Sequence, residues 1–319
     1  MYSRIVATGS YLPKRVLTNA ELEKMVDTSD QWIRERTGIV ERRIADDEET
    51  VSWMSEKAAR QALESAGLQP EDLDMIILGT TTPDQIFPNS AVLLQEKLGV
   101  KDIPAFTLEA ACSSFIYALS VADKFMRSGE VNRILVLGAE KITPLLDWDD
   151  RGTCVLFGDG AGAVILEASE EPGIVGTHIH ADGRYKDLLY FPSGVGRNFR
   201  HMENDFLQMK GNEVFKVAVT TLGRTVEECL EKHQLDKTDI DWLIPHQANI
   251  RIIQATARRL GMSMEQVIVT VAEHGNTSAA SVPLALDVAV RDGRVKRGDL
   301  LLLEAFGAGF TWGSALVRY

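Results

Sequence analysis

Short apolar runs bounded by glycine recur along the chain: MIILG (75–79), ILVLGA (134–139), VLFG (155–158) and LLLLEAFG (300–307). Each is brief and rich in β-branched residues or leucine, so each predicts a buried strand. Between them, apolar residues recur at the helical period in VSWMSEKAARQALESAG (51–67) and FIYALSVADKFMRSG (115–129), and both segments close on a glycine suited to a helix C-cap. Strands alternating with helices predict an α/β protein.

The pattern also repeats. LESAGLQPEDLDMIILG (63–79) aligns without gaps on LEKHQLDKTDIDWLIPH (230–246), an offset of 167 residues, and the same offset sets ALSVA (118–122) on ALDVA (285–289). One register held over two separated segments predicts a duplicated α/β unit, divided here into 1–170 and 171–319. The halves are expected to pack as a pseudo-symmetric pair with ligand sites along the seam.

Composition narrows the function. With 319 residues and 45% hydrophobic content the chain can bury a large core. A net charge of −12 opposes nucleic-acid binding, which needs a basic surface. No apolar run approaches the roughly 20 residues of a membrane span, and the N-terminus lacks the pattern of a signal peptide, so a cytoplasmic protein is expected. Three cysteines, Cys112, Cys154 and Cys229, argue for a reducing compartment and thiol chemistry rather than disulfides.

Cys112 lies in TLEAACSSFIYALSVA, where a strand-like segment meets small residues and then an apolar helix. A helix start presents unpaired N–H groups and the positive end of the helix dipole, which favour the reactive thiolate. Cys154 and Cys229 sit inside a strand-like run and a helical run, the usual place of an inert buried thiol. His246 ends the strand-like DWLIPHQAN, and Asn276 lies in a glycine-containing turn before the helix that the repeat matches to the one Cys112 begins. A Cys/His/Asn set brought together at the seam points to nucleophilic acyl chemistry. Two other motifs are weaker: THIHADG sets His178, His180 and Asp182 on one face of a strand without further clustered ligands, so no metal site is expected. GDGAG (158–162) precedes an apolar strand rather than a helix and reads as a tight inter-strand turn.

These residues sit in ATGSYLP (7–13), DTSDQWIRERTGI (27–39), EAACSSFIYAL (109–119), DRGTCVLFGDGAGAVIL (150–166), HMENDFLQMKGNEVFKVAV (201–219), PHQANIRII (245–253), EHGNTSAASVP (273–283) and EAFGAGFTWGSALVRY (304–319). Together they resemble the β-ketoacyl-acyl-carrier-protein synthase III family, over essentially the whole chain. The resemblance implies a thiolase-like fold, two duplicated α/β halves giving a layered α-β-α-β-α core. It also implies a decarboxylative condensation of an acyl-CoA primer, acetyl-CoA by preference, with malonyl-acyl carrier protein.

On that resemblance, Cys112 is the acylated nucleophile, and His246 and Asn276 act on the malonyl thioester. Thr28, Trp32, Arg36, Arg151, Gly152, Gly211, Phe215 and Asn249 contact coenzyme A, which is a substrate; no cofactor is implied. Gln247, Ala248, Asn249, Ile250 and Arg251 meet the carrier protein, with Arg251, Arg258 and Arg259 forming a basic stripe that suits an acidic partner. Phe87 and Ala308 border acyl pockets, Phe87 reaching across a homodimer. Ser113, Ser114 and Ala308 depart from the usual family pattern; Ser114 is expected near the acyl pocket, and Ala308 implies a position that does not need positive φ. The rival readings are a degradative thiolase, which would need a second cysteine in EAFGAGF, and a non-catalytic partner subunit, which would lack the nucleophile.

Overall fold

The computed structural model describes residues 1–200 and 205–319; the first four residues of the 201–219 motif lie outside the described residues. Helix boundaries follow local chemistry. The Thr50 hydroxyl accepts the Trp53 N–H at the start of the helix Val51–Ala66, and Gly67 ends it with φ of 66°, a left-handed cap that suits glycine.

Two mixed sheets carry the fold. The first orders Tyr2–Tyr11, Gly160–Ser169, Arg133–Glu140, Met75–Gly79 and Ala105–Leu108; the second orders Ile174–Ala181, Thr311–Arg318, Leu300–Gly307 and Trp242–Pro245. Met75–Gly79 runs parallel to Arg133–Glu140, as Trp242–Pro245 does to Leu300–Gly307, and an isolated parallel bridge from Leu243 to Val267 stands where the first sheet has its fifth strand. The offset of 167 survives in the fold: Met75 and Trp242, Ser114 and Ser281, and Arg133 and Leu300 each begin equivalent elements.

The helices Ser114–Ser128 and Ser281–Arg291 form a layer between the sheets. Phe115, Leu119 and Met126 of one, with Val282 and Leu286 of the other, bury against Ile77 and Val136 on one side and Leu301 and Leu303 on the other. A helix covered on two faces must be apolar on both, which is why the repeat is most alike in ALSVA and ALDVA. Val51–Ala66 and Ser90–Leu98 cover the outer face of the first sheet, while Gly211–His233 and Ile250–Leu260 cover the second, giving five layers. No helix among the described residues is long and apolar enough to cross a membrane.

The chain passes from one sheet to the other between Ser169 and Ile174, but the cores do not divide there. Leu17, Leu22, Ile33 and Ile39 pack with Val226, Ile253, Leu302 and Leu316 in one cluster. The first half therefore contributes an arm to the second half's core.

Two expectations are corrected. Val155–Gly158 is not a strand: Val155 O accepts from Arg42 Nη2 (2.7 Å) and Leu156 O from the Asn276 N–H (2.8 Å), so its carbonyls are taken by the site rather than by a sheet neighbour. GDGAG is not a turn between strands either. Asp159 accepts from the Thr143 N–H (3.0 Å) and Ala45 N–H (2.8 Å), and the following glycines open the strand Gly160–Ser169. A Cβ on Gly162 would lie 2.7 Å from Leu284 N.

Candidate active site

Both central helices are entered through a 3-10 turn, Ala111–Ser113 and Ser278–Ala280. Each turn opens on a non-glycine residue in the left-handed region, Ala111 at φ 50° and Ser278 at φ 49°. Such a conformation costs an L-residue on the order of 1–3 kcal/mol and collects at functional sites. Close packing holds both turns: a Cβ on Gly307 would lie 2.7 Å from Cys112 N, and one on Gly138 would lie 2.1 Å from Ala279 O.

Cys112 occupies the first turn and is nearly buried. Ser278 Oγ donates to its sulfur at 3.4 Å, and the Ser278 N–H donates to Asn276 Oδ1 at 2.9 Å. That bond orients the Asn276 amide by its oxygen and leaves the Nδ2 donors for a ligand. Three residues further on, Ser281 Oγ lies 2.5 Å from His246 Nδ1. The segment 276–281 thus touches Cys112, contains Asn276 and holds His246, so the three residues singled out in the sequence meet through one stretch of chain. The Gln247 N–H donates to the same Ser281 oxygen (3.4 Å). When the Ser281 hydroxyl donates to Nδ1, the neutral ring carries its proton on Nε2, a donor toward the site.

The electrostatics correct one expectation. Burial pushes the Cys112 thiol up to about 12, opposed by the Ser278 hydrogen bond and reinforced by the charges of Glu140 and Glu109. Cys112 rests as a neutral thiol, because desolvation outweighs the Ser278 hydrogen bond. Burial also lowers His246 to about 4, leaving it neutral. Glu140 is buried and pushed up to about 7 by desolvation, although Thr81 and Thr82 donate to it. Its Oε1 lies 3.3 Å from Ser278 Oγ, making Ser278 a bridge between an acid and the thiol. Sequence reasoning missed Ser278, Ser281 and Glu140. The repeat carried a signal for the first two, since it sets Ser278 on Ala111 and Ser281 on Ser114.

Cys112 stands at the wall of a cavity of about 780 Å³, with Ala111, Ser278 and Ala308 beside it and Ile142, Leu145 and Phe157 beyond. His246 and Asn276 do not line this cavity. Ser114 does not line it either: its hydroxyl accepts the Ala110 N–H (2.8 Å) and donates to Ala111 O (2.7 Å), bracing the turn instead. Ser113 Oγ donates to Thr311 O (3.1 Å). Ala308 has negative φ, and the positive value falls on Gly309 at 129°. The Thr311 hydroxyl ties this segment to the cysteine turn through Ala110 O at 2.7 Å. Phe87 is 82% exposed and outside this chain's own cavity.

The other residues form a second group. Trp32 and Arg151 meet each other, guanidinium over ring at 5.3 Å, and Arg251 covers Phe215 at 5.4 Å. Thr28 Oγ1 is buried without a partner, whereas the Gly152 N–H is taken by Asp150 (2.8 Å). Gly211 is exposed at the first turn of Gly211–His233. Asn249 caps the helix Ile250–Leu260 and its Nδ2 donates to Arg36 O (3.0 Å), while Ile250 fills the space beside Gly38. Ala248 and Ile250 are half-buried and Arg251 exposed. Gln247 is corrected: it is fully buried, donates to Pro245 O and Ile268 O, and accepts from Thr270 and Val271 N–H groups, so it holds the backbone and cannot meet a partner. The basic stripe is reduced, because Glu227 pairs with Arg259 at 3.0 Å.

Residues 106–183 match the family model for 3-oxoacyl-[acyl-carrier-protein] synthase III, and 230–319 match that of its C-terminal part. A protein of Alkalilimnicola ehrlichii named β-ketoacyl-[acyl-carrier-protein] synthase III is 62% identical over 100% of this chain and 99% of its own. The crystal structure of 3-oxoacyl-[acyl-carrier-protein] synthase III from Aquifex aeolicus superposes with a TM-score of 0.94 at 50% identity, covering 99% of this chain and 100% of that one. The corresponding enzyme of Pseudomonas aeruginosa gives 0.94 at 38% identity, covering 100% and 98%.

Proposed function

Because the chain belongs to the β-ketoacyl-acyl-carrier-protein synthase III family, and so is an acyltransferase that initiates fatty acid synthesis by condensation, we propose that Cys112 holds the primer and that His246 and Asn276 handle the malonyl partner. The observation that supports this division is the segment 276–281, which joins all three residues while only Cys112 faces the cavity.

In the first half-reaction the Cys112 sulfur attacks the thioester carbon of acyl-CoA, acetyl-CoA being the proposed primer. The bond to the coenzyme A sulfur breaks, and the thiol proton leaves with that sulfur as coenzyme A. The backbone N–H groups of Cys112 and Ala308 are the proposed donors to the tetrahedral oxyanion. In the second, malonyl-acyl carrier protein loses carbon dioxide and the bonding pair stays on the α-carbon as an enolate. That carbon attacks the acyl-cysteine, the C–S bond breaks, and Cys112 regains a proton from solvent. The Nε2–H of neutral His246 and the amide of Asn276 donate to the enolate oxygen, placing dipoles where charge develops.

Trp32 and Arg151 are the proposed adenine contacts, with Arg151 swinging off the ring to admit the base; Thr28, Arg36, Gly152, Gly211, Phe215 and Asn249 flank the path to Cys112. Exposed Arg251 and Arg258 are the proposed landing point for an acidic carrier protein. The exposed apolar loop residues Ile86 and Phe87 support a homodimer in which that loop is covered. Three free buried cysteines suit the cytoplasm. The thiolase reading has no second cysteine to use, since Cys154 and Cys229 belong to the second half's core.

Intact mass after incubation with acetyl-CoA tests the reading. One acetyl mass on the wild type and none on Cys112→Ala is the expected result; a wild type that stays unmodified with several short acyl-CoA primers sinks it.

A further inference from the structure

On the outer face of the second sheet, away from the condensing site, three ligand-bearing side chains converge. Cys229 and His233 lie one turn apart on the helix Gly211–His233, and His178 lies on the edge strand Ile174–Ala181. We propose that His178, Cys229 and His233 form a binding site for a thiophilic divalent cation, Zn²⁺.

The spacing fits. The three ligand atoms lie within 4.8 Å of one another, and the two Nε2 atoms are 3.1 Å apart. A tetrahedral zinc with Zn–N of about 2.0–2.1 Å and Zn–S of about 2.3 Å needs N···N near about 3.4 Å and N···S near about 3.6 Å. Small rotations of two half-buried rings supply the difference. The strand makes room for this geometry: a Cβ on Gly176 would lie 2.3 Å from His233 Nε2.

The surroundings of the thiol also suit a metal. Ser314 is the cross-strand neighbour of His178, fully buried, and its hydroxyl reaches the Cys229 thiol. It lies beside the Cys229 sulfur, where it would donate to a metal-bound thiolate, as the outer groups of metal sites do. The residues first grouped in THIHADG separate: His180 Nε2 pairs with Glu228 at 2.8 Å and Asp182 with Arg184. His178 instead finds its partners across the helix, 51 and 55 positions along the chain.

On binding, the Cys229 S–H bond breaks, its proton goes to solvent and the sulfur bonds the metal. The hydrogen bond between the imidazoles gives way to two Nε2–metal bonds; the ring that donated from Nε2 loses that proton to solvent and takes one up on Nδ1, so that both rings bind neutral with the proton on Nδ1. His178 also borders a surface cavity of about 470 Å³ shared with Glu228 and Lys232, which offers a route for the ion and a water as fourth ligand. The metal would pin the end of the helix to the sheet edge, so it should raise the melting temperature.

Cobalt(II) reports the site directly, because a thiolate bound to tetrahedral Co²⁺ gives a charge-transfer absorption. Titration of the full chain should show one equivalent of this band, displaced by Zn²⁺ and unchanged in Cys112→Ala. The band should vanish in Cys229→Ser, and apparent affinity should fall at least tenfold in His233→Gln. If Cys229→Ser does not fold, His233→Gln, whose ring is partly exposed, decides. Absence of the band, its persistence in both variants, or its loss in Cys112→Ala would overturn the proposal.

Discussion

The turns Ala111–Ser113 and Ser278–Ala280 share a register, a 3-10 shape, a left-handed first residue and a following helix between the two sheets. Their chemistry is opposite. The first places Cys112 where the second has Ala279; the second places Ser278 and Asn276 where the first has Ala111 and Glu109, and His246 stands where the first half has Gly79. Duplication kept the backbone device and gave its copies different side chains. On the proposed function, one copy presents the nucleophile to the cavity and the other half supplies the neutral donors. Symmetric backbone therefore does not imply symmetric function; each half completes the other's site.

The largest test of this division is to move the nucleophile. Cys112→Ala should lower condensation by about 10³-fold or more, and adding Ala279→Cys should restore nothing, because position 279 is buried against Gly138 and does not line the cavity. Recovered acylation in the double variant, read by intact mass, would break the comparison. Next, His246→Ala and Asn276→Ala should each slow malonyl decarboxylation by about 10²–10³-fold while acetyl transfer to Cys112 persists, measured as carbon dioxide release against adduct formation.

Ser278→Gly keeps the left-handed backbone but removes the bridge between Glu140 and the thiol. It should slow acylation by about tenfold, the scale of one strong hydrogen bond, as single-turnover kinetics would show. A smaller effect sharpens another mismatch of the halves. Glu304 stands where the first half has Leu137, and burial holds its carboxyl up to about 8. The unfolded chain ionises this group near 4.5, so its contribution to folding stability is fully present below that pH and is lost as pH rises to about 8. Glu304→Gln should flatten the profile and gain more in denaturant midpoint at pH 9 than at pH 5. Smallest of all, Arg259→Ala should leave KM for the carrier substrate within about twofold, since the side chain is already paired at the surface, whereas Arg251→Glu should raise it.

Strands with a continuous apolar run were legible, as was the duplication, because burial on both faces leaves a pattern in MIILG and LLLLEAFG that solvent-facing strands lack. The seam followed from the register, and with it the meeting of Cys112 and Asn276. What stayed hidden depends on neighbours distant in sequence. VLFG looks like a strand until Arg42 and Asn276 claim its carbonyls. Gln247 looks like a surface residue until the backbone of 268–271 closes around it. The neutral thiol of Cys112 depends on burial by residues distant in sequence, which no local motif encodes, and His178 lies with Cys229 and His233 rather than with His180 and Asp182.

The arm that the first half lends to the second half's core has a consequence for how the molecule is made. Leu17, Leu22, Ile33 and Ile39 bury against residues near 226, 253, 302 and 316, which leave the ribosome much later. During synthesis these early side chains wait without their partners, and the native contacts that satisfy them are among the longest in sequence, the kind that form slowly. A ribosome stalled after the first sheet should carry a nascent chain whose arm is open to proteolysis, and protection should arrive only once the final strand has emerged.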